Sequence, residues 1–151
     1  LAKLDSGEFD AIILACAGLI RLGFESRIGA SIAPELSLPA AGQGAVGIEF
    51  REQDDRVRQL LAPLHHQETA TRVLAERAVV RRLDGGCDVP IAAFAERDGD
   101  GLWLRARVGS ADGGALLVAE ARGGDPELLG EAVADMLLSQ GAEELIRSAR
   151  G

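Results

Sequence analysis

Aromatic residues make up only 3% of this 151-residue chain, so its core must be built from Leu, Val, Ile and Ala. Cysteine is almost missing: Cys16 and Cys87 are the only two, too few for a disulfide scaffold. No run approaches the roughly 20 apolar residues of a membrane-spanning helix. The opening LAKLDSGEFD also lacks the apolar stretch of a signal peptide. These absences lead us to expect a reducing, cytoplasmic setting and no membrane partner. Positive charge is in deficit as well, with a net charge of −8 and a pI near 4.8. That argues against nucleic acid as a partner, although a few arginines can still make a local pocket for a small anion. There is no low-complexity tract and no internal repeat. What is present is globular in character, 47% hydrophobic and 26% charged, and long enough for one good domain or parts of two. The chain opens on Leu, in what reads as the end of a helix, so we expect a piece of a longer protein.

Along the chain, DAIILACA (residues 10–17) is a short continuous apolar run. Such a run suits a strand buried on both faces of an α/β sheet. GLIRLGF reads as a short helix or turn, and IAPELSLPAAGQG as a loop or hinge rich in Pro, Ala and Gly. AVGIEFRE (45–52) has strand character, and DDRVRQLLAPL reads as a helix opened by Asp54 or Asp55 and stopped at Pro63. HHQETATRVLAERAVVRRLDGG carries the clearest helical pattern, with Ala70, Val73, Leu74, Ala78 and Val80 on an apolar face and Gly85 as the expected left-handed cap. Then the period changes. VPIAAFAERD, GLWLRARVGS and ALLVAEARGG read as three strands joined by turn-like GDG and ADGG, hence antiparallel hairpins. DPELLGEAVADMLLSQG is a helix with Asp125 as N-cap, Pro126 first and Gly141 past its end, and AEELIRSAR a last short helix.

Several residues are candidates for chemistry. Cys87 follows two glycines in DGGCDVP, so its sulfur can be reached. Yet a helix end and the acids Asp84 and Asp88 would raise its pKa, which is wrong for a fast general nucleophile. It is either a small apolar filler in a turn or a thiol bonded once and kept. Cys16, in the apolar run, reads as core. His65 and His66 point in different directions on a helix and have no further partner at ligand spacing, so a helix-start or packing role is expected and no metal. Gly42-Gln43-Gly44 is a lone G-x-G, weak as a phosphate motif. It is either a crossover needing small residues or a hinge that holds Gln43 beside a cleft. Arg21 follows the apolar run, where ligands of open α/β sheets gather. It is either a forked carboxylate binder or a solvated surface residue. Arg77 reads as structural.

Taken together, LAKLDSGEFDAIILACAGLIRLG, LSLPAAGQGAVGIE, HHQETATRVLAERAVVRRLDGGCDVPIAAFAE and LRARVGSADG cover nearly the whole chain. In this order and spacing they closely resemble the C-terminal half of the porphobilinogen deaminase (hydroxymethylbilane synthase) family. That family condenses four porphobilinogen units, with loss of ammonia, into hydroxymethylbilane. The resemblance implies a dipyrromethane cofactor held by a thioether to Cys87. It implies that Arg21 contacts the carboxylates of cofactor and substrate, and that Gly18 and Gln43 line the same cleft. Family members are longer, and their first domain, with its catalytic aspartate, has no counterpart here, so no residue of this chain takes that role.

The expectation is therefore a partial periplasmic-binding-protein-like α/β segment followed by a small α+β domain, with a three-stranded antiparallel sheet and helices on one face. The expected domains are 1–41, part of the second domain; 42–64, a crossover strand and helix belonging to the first; and 65–151, the cofactor-attachment domain. Expected partners are porphobilinogen, polypyrrole intermediates and the missing N-terminal part, in a monomeric cytoplasmic parent. The isolated chain is expected to be inactive. The rival readings are a non-catalytic α+β binding module and an enzyme using Cys87 as a free thiolate.

Overall fold

The computed structural model describes residues 1–86 and 89–150. The chain divides into two compact units, Leu1–Ile32 and Ala33–Gly151. The first holds helices α1 (Ala2–Asp5) and α2 (Cys16–Arg21), with a 3-10 turn at Glu25–Arg27. Arg27 forks onto the Asp5 carboxylate and so ties the start of this unit to its end.

The second unit carries everything else: α3 (Asp55–Leu61), α4 (Gln67–Arg82), strands β1 (Ile91–Asp98), β2 (Gly101–Gly109) and β3 (Leu116–Gly123), then α5 (Pro126–Ser139) and α6 (Ala142–Ala149). The strands form one antiparallel sheet in the order β1-β2-β3. Alternation along them explains why. Ala93 and Ala95 of β1, Leu102, Leu104, Ala106 and Val108 of β2, and Ala119 of β3 all turn to one side and are buried. Register brings Ala93 opposite Ala106 and Ala95 opposite Leu104. Helices α4, α5 and α6 cover that side, adding Val79, Val133, Leu137 and Ile146 to a single core. Each fully buried Leu or Val contributes about 1.5–3 kcal/mol. The α+β domain, with helices over one face of a three-stranded sheet, is as the sequence implies.

Helix ends follow their local chemistry. The Asp54 carboxylate accepts the Val57 N–H, and that of Asp125 accepts from Glu127 and Leu128, with Pro126 in the first turn of α5. His66 caps α4 by accepting from the Thr69 N–H, so one of the two histidines serves the helix start. Gly130 lets α5 lie directly on α4: a Cβ there would stand 2.4 Å from the Ala78 Cβ and 2.5 Å from the Ala75 carbonyl oxygen. No helix among the described residues is long and apolar enough to cross a membrane.

Three expectations are corrected. Residues 10–15 and 45–51 form no strand, because among the described residues no neighbour supplies the ladder their N–H and C=O groups need. Their apolar side chains stand in the open, with Ile13 81% and Val46 82% exposed. Cys16 is accordingly not strand core; it opens α2, half-buried and unbridged. The third concerns the end of α4, where the left-handed residue is Asp84 rather than Gly85.

Candidate functional site

The end of α4 leads into the glycine-cysteine loop. The Gly85 N–H bonds back to the Val80 carbonyl (2.9 Å) and the Asp84 N–H to that of Arg81 (3.1 Å). This pair of bonds is a Schellman closure, with Asp84 in the left-handed position at φ 50°. Aspartate tolerates that region better than most residues with a side chain. Arg150, just past α6, holds it there, bonding both the Asp84 carboxylate (3.0 Å) and the Asp84 carbonyl oxygen. Gly85 is needed for space instead: a Cβ would sit 2.5 Å from the Ile91 Cδ1 and 3.2 Å from the Val80 Cγ1. Beyond it the Val89 N–H reaches the Gly86 carbonyl (3.3 Å), and Val89 is buried. The root of the loop is thus fastened on both sides. Cys87 and Asp88 lie outside the described residues.

A trough of about 1260 Å³ opens beside this root, between α4 and the segment from Ala41 to His66. Val73, Val80, Ile48 and Leu61 give it apolar walls, and Arg58, Arg77 and Arg81 bring positive charge to it. Arg81 is shared with Glu127 (2.9 Å) and Arg58 with Asp55 (2.8 Å), both at the surface. The trough runs to Gly85. An apolar, arginine-edged hollow of this kind can take a flat, carboxylate-bearing molecule. Sequence reading assigned Arg77 to structure alone and passed over Arg58 and Arg81. Their helical spacing carried no signal, because the trough forms only when α3 and the irregular stretch before it are brought against α4.

The remaining candidates fall in different places. Gly18 and Arg21 both belong to α2 in the first unit, one turn apart and exposed. Gln43 belongs to the second unit, exposed, in a turn where its N–H meets the Ala40 carbonyl (3.0 Å) and Gly42 and Gly44 both take positive φ. It lines a small hollow of about 180 Å³ with Arg72, Glu76 and Phe94. Among the described residues, no three His, Cys, Asp or Glu are grouped to hold a metal ion.

Glu76 is the residue that sequence reading missed. It lies on the inner side of α4 and is 5% exposed. Its two carboxylate oxygens accept the N–H groups of Ala95 (2.9 Å) and Gly42 (2.7 Å). Burial holds its carboxyl above the ordinary value, outweighing those two bonds and the nearby Arg72 charge. On the far side of the sheet Arg105 is also buried. It stacks 4.1 Å from the Trp103 ring centre, and its guanidinium bonds Glu96 and Glu35, the latter at 3.0 Å. That bond holds the exposed Glu35 carboxyl below its ordinary value.

Comparison with known families adds two matches. A family model described as "porphobilinogen deaminase, C-terminal domain" matches residues 70–139. A second, "porphobilinogen deaminase, dipyromethane cofactor binding domain", matches residues 1–59. The two follow one another without overlap and span most of the chain. Gly18, Arg21 and Gln43 fall in the second match, and Cys87 in the first.

Proposed function

The chain belongs to the porphobilinogen deaminase family, and on that premise we propose that it is the primer-carrying part of a hydroxymethylbilane synthase. This transferase of tetrapyrrole biosynthesis joins four porphobilinogen units with loss of ammonia. The observation that carries the reading is the ordered pair of family matches over 1–59 and 70–139. The family's cofactor is a dipyrromethane, and Cys87 is the residue to hold it by a thioether.

The loop root supports this assignment. A residue that carries a growing chain needs a fastened base and an open end, and the Schellman closure with its Arg150 brace supplies the base. The trough supports it too, since apolar walls edged by Arg58, Arg77 and Arg81 suit a pyrrole ring with acidic side chains. When bound, the cofactor supplies the nucleophilic pyrrole to which new units add. The chain's own residues bind and orient: Arg21, Gly18 and Gln43 are the residues we assign to its carboxylates and rings. None of them takes the part of the family's aspartate, so this chain alone is expected to form no product.

The exposed apolar segments bear on partners and domains. Val46, Ile48 and Phe50 alternate with polar or small residues and are 82%, 50% and 40% exposed, as strand residues without a partner strand would be. We assign 1–41 to a periplasmic-binding-protein-like second domain, 42–64 to a crossover into the first, and 65–151 to the attachment domain. The complementary N-terminal part would supply the missing strands, in a monomeric cytoplasmic enzyme.

Intact mass and peptide mapping test the reading. Protein purified from cells as the full-length parent should exceed its sequence mass by one dipyrromethane, located on the Cys87 peptide, and C87S should lose it. A free, titratable thiol at Cys87, or normal turnover by the C87S parent, would refute the proposal. A mass equal to the sequence would favour the non-catalytic module instead.

A further inference from the structure

The segment from Glu35 to Gly44 lies in a stretch rich in Pro, Ala and Gly that reads in sequence as a loop or hinge, and the contacts along it are those of a fastened strap. At one end Arg105 bonds the Glu35 carboxylate (3.0 Å) and Arg107 the Glu35 carbonyl (3.3 Å). In the middle Leu38 is 7% exposed, the one buried hydrophobic residue before Ala75 among the described residues. Ala41 packs against the main core. At the other end the Gly42 N–H donates to Glu76.

The Glu76 bond differs from the others in kind. β1 is an edge strand, and an edge strand has N–H groups that no neighbour accepts. Glu76 spends one carboxylate oxygen on such a group, that of Ala95, and the other on Gly42. One buried side chain therefore joins helix α4, the sheet edge and the strap. Gly42 suits the post for its φ of 74°; a Cβ would meet nothing closer than 3.9 Å. A buried, charge-assisted bond of this type is stronger than a neutral one, and its loss leaves a donor stranded.

We infer that Glu76 is a positioning residue, a two-handed clamp that locks the Gly42-Gln43-Gly44 turn to the α+β body. The Gln43 turn is then fixed to the α+β body and is not a free hinge. This rests on the proposed function for the role of Gln43. The division of the chain into units at Ile32 and Ala33 agrees with it.

Amide hydrogen exchange read by NMR tests the clamp on the chain itself. In the unsubstituted protein Gly42 should exchange at least tenfold more slowly than an unstructured amide; exchange at the unstructured rate would overturn the inference without any variant. In E76Q, whose amide offers one acceptor where the carboxylate offers two, Gly42 should exchange at least tenfold faster while Val79 and Leu104 keep their rates. The Gly42 and Ala95 amide protons, far apart in sequence, should shift upfield together in that variant. Gly42 exchange unchanged within twofold, or core amides accelerating as much as Gly42, would reduce Glu76 to a structural residue. E35Q, at a side chain 68% exposed that cannot unfold the core, should loosen Leu36 and Ser37 while leaving Gly42 protected. Release of Gly42 in E35Q would contradict an independent clamp. None of these readouts depends on a primer at Cys87, so failure of the clamp and failure of the proposed function are told apart.

Discussion

Val46 and Leu104 are both apolar residues in stretches of strand-like sequence, yet the first is 82% exposed and the second fully buried. Leu104 lies in β2, between two partner strands and under α4 and α5; Val46 lies in a segment with no ladder on either side. The two stretches differ little in local propensity. They differ in whether neighbours complete their backbone bonds and cover their side chains. A strand is a property of a pairing as much as of a sequence, and residues 91–123 bring their own pairings in two hairpins, whereas 10–15 and 45–51 do not.

Four experiments test that contrast. The largest effect is expected at the centre of the paired region, where L104A should lower unfolding free energy by about 2–5 kcal/mol, read by chemical denaturation. A cost below about 1 kcal/mol there would mean that the sheet is not the core it resembles. Next comes G130A, which must push α5 off α4. Overpacking of that kind costs about 1–3 kcal/mol or more, and a neutral G130A would deny the close helix contact.

E76Q should follow, at about 1–3 kcal/mol for a stranded buried donor, and it has a pH signature. Because burial raises the Glu76 pKa, the folded state keeps its proton to a higher pH than the unfolded chain does, and above that pH the clamp is the ionised carboxylate. The stability this shift contributes is complete below the ordinary value of 4.5 and is lost as pH rises through the raised value. The advantage of the unsubstituted protein over E76Q should therefore shrink on going from pH 4.5 upward. An advantage that grows with pH would reverse the sign of the argument. The smallest effect is expected at V46S, within about 0.5 kcal/mol in the chain alone. If the proposed function holds, the same substitution should become costly once the N-terminal part it calls for is bound, and an unchanged cost there would count against that pairing.

Legibility followed the same line. The three strands, the Asp125 N-cap and the Pro126 start of α5 could be read from spacing and capping chemistry, and the α3 cap was narrowed to Asp54 or Asp55, because each is decided within a few residues. The left-handed residue at the end of α4 was assigned to Gly85 since glycine meets no penalty there. The structure has Asp84 there, braced by Arg150, and keeps Gly85 for the room it leaves beside Ile91 and Val80, contacts that spacing does not display. Glu76 was invisible for a related reason: an acid in a helix looks solvated until a sheet edge and a strap are brought against it. The role proposed for Cys87 comes from likeness to a family, while its spacing alone left two readings open.

The hairpins, the helix starts and the family could be read from the letters alone, since these depend on short-range backbone preferences and on motifs that survive as text. Which apolar runs become strands, which glycine is there for room, and that Glu76 holds the Gln43 turn came from the folded chain. Burial and hydrogen-bond completion belong to neighbours in space, and a chain of letters does not say who those neighbours are.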